Sequence, residues 1–215
     1  SEKVILGGGG INGGNHLVEL SISGNQIVYD EQEYSFSGTV SAMGYSPIDP
    51  SYRYVLTENG KFYYSSDHGE NWTITASFTG PGAHYFYGST IWASPQELGK
   101  VYIGGSGYSN PAVYMSDNHG ESFEGMDSGL PNTLVFQLAG TPDDIILFAA
   151  TEIGPYAFSS NENQLPNCKM SPKSFKKTLV GDNVLIGSNS SINHYGIYLG
   201  KDKQFIDNKK ETVTV

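Results

Sequence analysis

Ser65-Ser66-Asp67-His68-Gly69-Glu70-Asn71-Trp72 and Ser116-Asp117-Asn118-His119-Gly120-Glu121-Ser122-Phe123 are two copies of one eight-residue pattern, S-x-[DN]-x-G-x-x-aromatic, set 51 residues apart. Each position has a physical reason. A short Asp or Asn side chain accepts hydrogen bonds from nearby backbone N–H groups, and Gly tolerates a left-handed turn. The leading serines, Ser65 and Ser116, can hydrogen-bond locally, and an aromatic residue fills the space between packed sheets.

Upstream of the first copy, Arg53-Tyr54-Val55-Leu56-Thr57-Glu58 and Lys61-Phe62-Tyr63-Tyr64-Ser65 flank Asn59-Gly60. That dipeptide between β-rich runs predicts a hairpin with a type I′ turn. Asn71 to Ala76 predicts a third strand. A T-E-x-G-x4-S pattern beginning at Thr57 recurs at Thr151, and a similar hairpin joins Val101–Gly104 to Ala112–Ser116 through the longer loop Ser106–Pro111. Aligning Ser21, Ser65, Ser116, Ser159 and Gly200 gives a repeat of 41 to 51 residues. No window carries three turns of helical periodicity. The expectation is an all-β chain, a β-propeller of four-stranded antiparallel blades, with about four to five blades or a fragment of a larger ring.

The two copies, with Ser159-Ser160-Asn161-Glu162-Asn163 as a decayed third, resemble the Asp-box (BNR-type) repeats of sialidases, xyloglucan-degrading hydrolases and sortilin-type receptors. The stretch from Gly129-Leu130-Pro131-Asn132 to Ser159 is similar to the blade-to-blade segment of the xyloglucanase-like propellers. The resemblance implies that Ser65, Asp67, Gly69, Trp72, Ser116, Asn118, Gly120 and Phe123 are structural. It carries no activity with it, because unrelated functions share the box.

Composition narrows the function. The chain has 215 residues, a formal charge of −10 and a single cysteine, Cys168, so an internal disulfide framework is excluded. The acidic balance argues against nucleic acid, and no apolar run approaches the length of a membrane span. Residues 1–168 hold 4 basic and 18 acidic side chains, whereas 169–215 hold 8 and 4. This divides the chain into 1–168, the Asp-box blades, and 169–215, a divergent last blade or basic C-terminal segment. The first residues lack the basic and apolar regions of a signal peptide. The resemblance implies export or a cell-surface location, with any signal removed before residue 1.

Sialidases hold the substrate carboxylate with three arginines, and this chain has only Arg53. A hydrolase of the xyloglucanase kind needs two carboxylates across the scissile bond. The resemblance would place one in an Asp-Val-Gly-Gly context, where this chain reads Val4-Ile5-Leu6-Gly7-Gly8-Gly9-Gly10-Ile11-Asn12. Asp143-Asp144 after Pro142 reads as a turn between blades. The early glycines do not form a phosphate-binding motif, and His68 and His119 are explained by repetition rather than by a metal. No catalytic residue, metal site or cofactor is expected. The expected function is non-catalytic binding of a glycan or protein partner through face loops, with association with further blades or a larger assembly also open. A glycoside hydrolase module and a structural spacer are the alternatives. Tyr108, Tyr85, Tyr87 and Trp92 are the expected binding aromatics, because such rings stack on sugar faces.

Overall fold

A computed structural model describes residues 3–8, 14–82, 89–126 and 129–159, and beyond them the strand backbones at 176–177, 184–185, 196–199, 204–207 and 212–214. The chain forms five antiparallel sheets in sequence order. The first contains β1 (Lys3–Gly7), β2 (Leu17–Ser23) and β3 (Gln26–Glu31). The second contains β4 (Val40–Tyr45), β5 (Arg53–Thr57), β6 (Phe62–Ser65) and β7 (Thr73–Ile74). The third runs β8 (Thr90–Ala93), β9 (Val101–Gly104), β10 (Val113–Ser116) and β11 (Glu124–Gly125). The fourth runs β12 (Val135–Gly140), β13 (Ile146–Thr151), β14 (Gly154–Ser159) and β15 (Lys176–Lys177). The fifth runs β16 (Val184–Leu185), β17 (Gly196–Leu199), β18 (Gln204–Asp207) and β19 (Thr212–Thr214). Among the described residues there is no helix long and apolar enough to cross a membrane.

Successive residues of one strand feed opposite interfaces, as the two-residue period of a strand requires. In the second sheet, Val55 and Tyr63 join Leu17, Phe36, Val40 and Trp72 in a core against the first sheet. Their neighbours Tyr54, Leu56 and Phe62 pack with Val101 and Ile103 of the third. Tyr102 and Val113 then pack with Val135, Leu138, Leu147, Ala149 and Tyr156 of the fourth. Both faces of these middle strands are covered, so their sequences read as continuous apolar runs rather than as alternation. Close approach of the inner strands leaves no room at Gly140, where a Cβ would collide with the Trp92 ring.

Four sequence expectations differ from the structure. Asn59 does not adopt a positive φ; only Gly60 does (76°). Gly60 N–H donates to Thr57 O at 2.9 Å and Thr57 N–H to Lys61 O at 3.0 Å. The loop is therefore a three-residue connection ending in a left-handed Gly, and not a type I′ turn. Second, Ser65, Ser116 and Ser159 end third strands, but Ser21 lies within β2, the second strand of its sheet, and Gly200 follows β17, also a second strand. The third strands of those sheets are β3, which ends at Glu31, and β18, which ends at Asp207. Third, Asp143-Asp144 lies in the turn between β12 and β13, inside the fourth sheet rather than between sheets. That sheet takes its last strand, β15, from beyond residue 168. The first sheet has three strands where four were expected.

Candidate functional site

Because every sheet is a meander, its loops alternate between two ends of the stack. One end carries the connections between first and second strands together with the box turns. In the first box Ser65 Oγ donates to Asp67 Oδ1 at 2.8 Å and accepts from the N–H groups of Asp67 and Gly69 at 3.2 and 2.9 Å. Asp67 Oδ1 accepts from Asn71 N–H at 2.9 Å, and Oδ2 accepts from the Asn71 amide at 2.6 Å. These bonds from Asn71, with that from Ser65, hold the Asp67 carboxyl down to about 2. In the second box Ser116 Oγ accepts from Asn118 and Gly120 N–H at 3.2 and 2.8 Å, and Asn118 Oδ1 accepts from Ser122 N–H at 3.0 Å.

The turn tips have two consecutive left-handed residues, His68 (φ 61°) with Gly69 (86°), and His119 (61°) with Gly120 (90°). Glu70 N–H and Glu121 N–H close them onto Asp67 O and Asn118 O at 3.3 and 3.1 Å. The type I′ pattern expected at Asn59-Gly60 thus occurs in the boxes. His is among the residues that tolerate this region. The box aromatics face the preceding sheet. The Trp72 ring lies 5.3 Å from Phe36, and Phe123 lies 4.8 Å from Phe62 and 4.6 Å from Phe78. All eight box residues therefore sit in turns or packing contacts at one end of the stack.

The opposite end carries the second-to-third-strand hairpin tips and the connections leading into each new sheet. Backbone bonds join them: Glu58 N–H to Thr39 O at 2.8 Å, Ser106 N–H to Gly82 O at 3.1 Å, and Glu152 N–H to Leu134 O at 3.2 Å. Tyr108 belongs to the longest of these tips. Its side chain is 46% exposed. Its hydroxyl donates to Glu152 Oε1 of the fourth sheet's tip at 2.5 Å, which raises the phenol above its ordinary value. A half-exposed ring fixed beside a carboxylate offers an apolar platform and a polar acceptor to one ligand.

Of the expected binding aromatics, the two described ones, Tyr108 and Trp92, lie on different elements. Trp92 lies in β8, packed against the core shared by the third and fourth sheets and 5.6 Å from the Tyr102 ring. Tyr85 and Tyr87 lie outside the described residues, as do Cys168 and the decayed third box beyond Ser159. The adjacent acids Asp143 and Asp144 are committed elsewhere. Asp144 accepts from Ser94 Oγ at 2.9 Å and pairs with Lys100 at 3.2 Å, tying the fourth sheet to the third. Burial lowers the Lys100 pKa, but Glu97, Tyr102 and Asp144 together outweigh it and raise the amine above its usual value. Asp143 accepts from Thr141 Oγ1 at 2.5 Å and from Ile145 N–H at 3.3 Å, and these bonds lower its pKa. The Tyr108–Glu152 contact was not legible in the sequence, since its partners are 44 residues apart. Among the described residues no group of three His, Cys, Asp or Glu is placed to hold a metal.

No protein-family profile and no curated protein matches the chain. Solved structures do. The Niastella koreensis GH74 enzyme is similar over 90% of this chain and 32% of its own, with 15% identity and a TM-score of 0.53. The Xanthomonas campestris GH74 xyloglucanase is similar over 74% of this chain and 28% of its own, with 14% identity and a TM-score of 0.48. YCF48 bound to a D1 peptide is similar over 93% and 60%, with 10% identity and a TM-score of 0.49. The chain thus spans about a third of the length of the GH74 enzymes it resembles. At this identity the likeness speaks for the fold alone: successive antiparallel meanders of three or four strands, the first four packed one against the next in chain order, form a β-propeller architecture.

Proposed function

We propose that the chain is an Asp-box β-propeller, exported or displayed at a cell surface, that binds a glycan or protein partner through its hairpin-tip end without catalysing a reaction. The observation that carries this reading is the division of labour between the two ends. Box side chains are consumed in turns and inter-sheet packing, while Tyr108 presents a half-exposed ring held by Glu152. Loops on a rigid sheet scaffold are the usual place for binding.

The alternative is a glycoside hydrolase module, favoured by the GH74 fold likeness. It needs one protonated and one ionised carboxylate across the scissile bond. Asp143 and Asp144 do not suit that work, because both are held by turn or inter-sheet contacts. Incubation with xyloglucan and with sialosides, beside a glycan-array screen, separates the readings. Array binding with no reducing sugar or sialic acid released is expected. Hydrolysis that is lost in Asp143→Ala or Asp144→Ala would make the chain an enzyme, and silence in both assays would favour a structural spacer.

A further inference from the structure

The first sheet has an outer edge on which no other strand lies among the described residues. Eight residues, 32–39, separate β3 from β4, whereas 24 separate β6 from β8 and 18 separate β10 from β12. The longer connections each hold a box turn and a fourth strand. The short one passes directly to the next inner strand. All six residues of β3 are exposed, with Ile27 and Tyr29 each 74% accessible and Ile22 beside Ile27 at 67%.

Antiparallel pairing determines which groups this edge presents. Gln32 N–H donates to Leu17 O at 2.8 Å, and Ser23 pairs with Gln26 across a two-residue turn. Hydrogen-bonded and non-hydrogen-bonded pairs alternate, so Asp30 and Val28 bond inward to Glu19 and Ser21. The N–H and C=O groups of Ile27, Tyr29 and Glu31 point outward, and no other strand lies against them among the described residues. Edge strands are usually protected by Pro, charged side chains or a bulge; Gln26-Ile27-Val28-Tyr29-Asp30-Glu31 has no Pro, Lys or bulge, and its two charges, Asp30 and Glu31, stand together at one end.

We propose that this edge is a dimerisation surface, and that its occupant is β3 of a second copy, antiparallel about a twofold axis at Tyr29. Tyr29 then faces Tyr29 of the other copy, Ile27 faces Glu31 and Val28 faces Asp30. Two demands select this register. Outward-bonding residues must pair with one another, and acids must not face acids. Shifts toward the acidic end put Asp30 or Glu31 opposite its own equivalent, while an axis at Val28 keeps the five-residue overlap but pairs only Ile27 with Tyr29 and leaves the outward groups of Glu31 without a partner in the strand. The two Glu31 carboxylates end up four strand positions apart, on the order of 13 Å. An isologous contact of this kind joins two three-stranded sheets into one of six and continues the apolar face formed by Ile22, Ile27 and Tyr29. The charge of −10 on each chain opposes association, so added salt strengthens the dimer.

Sedimentation equilibrium of the full chain at about 100 µM and about 0.15 M salt tests this. Twice the 23.3 kDa chain mass is expected. Tyr29→Pro removes an outward N–H and leaves the β2–β3 ladder intact, so it should give a monomer with an unchanged circular dichroism spectrum. Val28→Asp sets two acid pairs face to face and should weaken the dimer about tenfold. Ile27→Lys sets Lys against Glu31 and should preserve it. A wild-type chain that stays monomeric, or a dimer indifferent to both Tyr29→Pro and Val28→Asp, would overturn the proposal.

Discussion

The two boxes share a hydrogen-bond skeleton but sit against different neighbours. The second closes tightly on the sheet before it. His119 stacks on Tyr52 with ring centroids 3.8 Å apart and planes 16° from parallel, its Nδ1 lies 3.4 Å from the Tyr54 hydroxyl, and Thr75 Oγ1 donates to Gly120 O at 2.6 Å. The first box faces the short three-stranded sheet. Trp72 is buried among Tyr34, Phe36 and Tyr63, but its indole N–H is buried without a hydrogen-bond partner. A cleft of about 460 Å³ lined by Ile5, Met43, Tyr45 and Trp72 lies beside it. The turn is therefore a self-contained unit, and its contribution to stability depends on what the preceding sheet offers.

The largest expected effect tests whether the aromatic is the plug between sheets. Trp72→Ala should cost roughly 3 to 5 kcal/mol in denaturant unfolding, and Phe123→Ala, whose ring is only half-buried, should cost less. The reverse order would mean that the second interface, not the first, depends on its aromatic. Next come the glycines. At Gly120 a Cβ would collide with the Phe62 ring, whereas at Gly69 it would lie 3.1 Å from Trp72; both positions have positive φ. Gly120→Ala should therefore cost about 2 to 4 kcal/mol and Gly69→Ala about 1 to 2. Equal losses would remove the packing difference between the boxes.

The boxes were legible in the sequence because Ser, Asp or Asn, Gly and an aromatic at fixed offsets describe a turn whose bonds are all local. The hairpins around Asn59-Gly60 and Thr151 to Gly154 were legible for the same reason. What sequence could not reveal was non-local. The loss of a fourth strand after β3 shows only when strand ends are paired, and Asn59 lost its expected left-handed conformation to a three-residue loop. The packing of the Trp92 ring over Gly140, 48 residues away, was hidden in the same way.

Smaller effects sharpen the comparison. Trp72→Phe makes the first box resemble the second and removes the unpaired N–H, so its net cost should be below about 1 kcal/mol, since lost contacts and a relieved buried donor oppose each other. Titration separates the polar residues. Asp67 is depressed from 3.8 to about 2 when folded, so its contribution is present above pH 3.8 and is lost as the pH falls toward 2. Asp67→Asn, which copies Asn118, should abolish that part of the acid transition and lower neutral-pH stability slightly, since the carboxylate's contribution is lost while the turn is kept. His119 is lowered from 6.5, chiefly by burial, so its contribution declines as the pH falls below 6.5. His119→Gln should flatten this part of the stability profile.

The central claim is that one end of the stack is framework and the other is the binding surface. A glycan-array profile of wild type beside Tyr108→Ala and Trp72→Phe tests it most directly. The account predicts that Tyr108→Ala loses the wild-type signals while its melting temperature stays unchanged, and that Trp72→Phe keeps them. An unchanged profile in Tyr108→Ala, with the signals lost instead from a folded Trp72→Phe, would place binding at the box end and contradict the assignment.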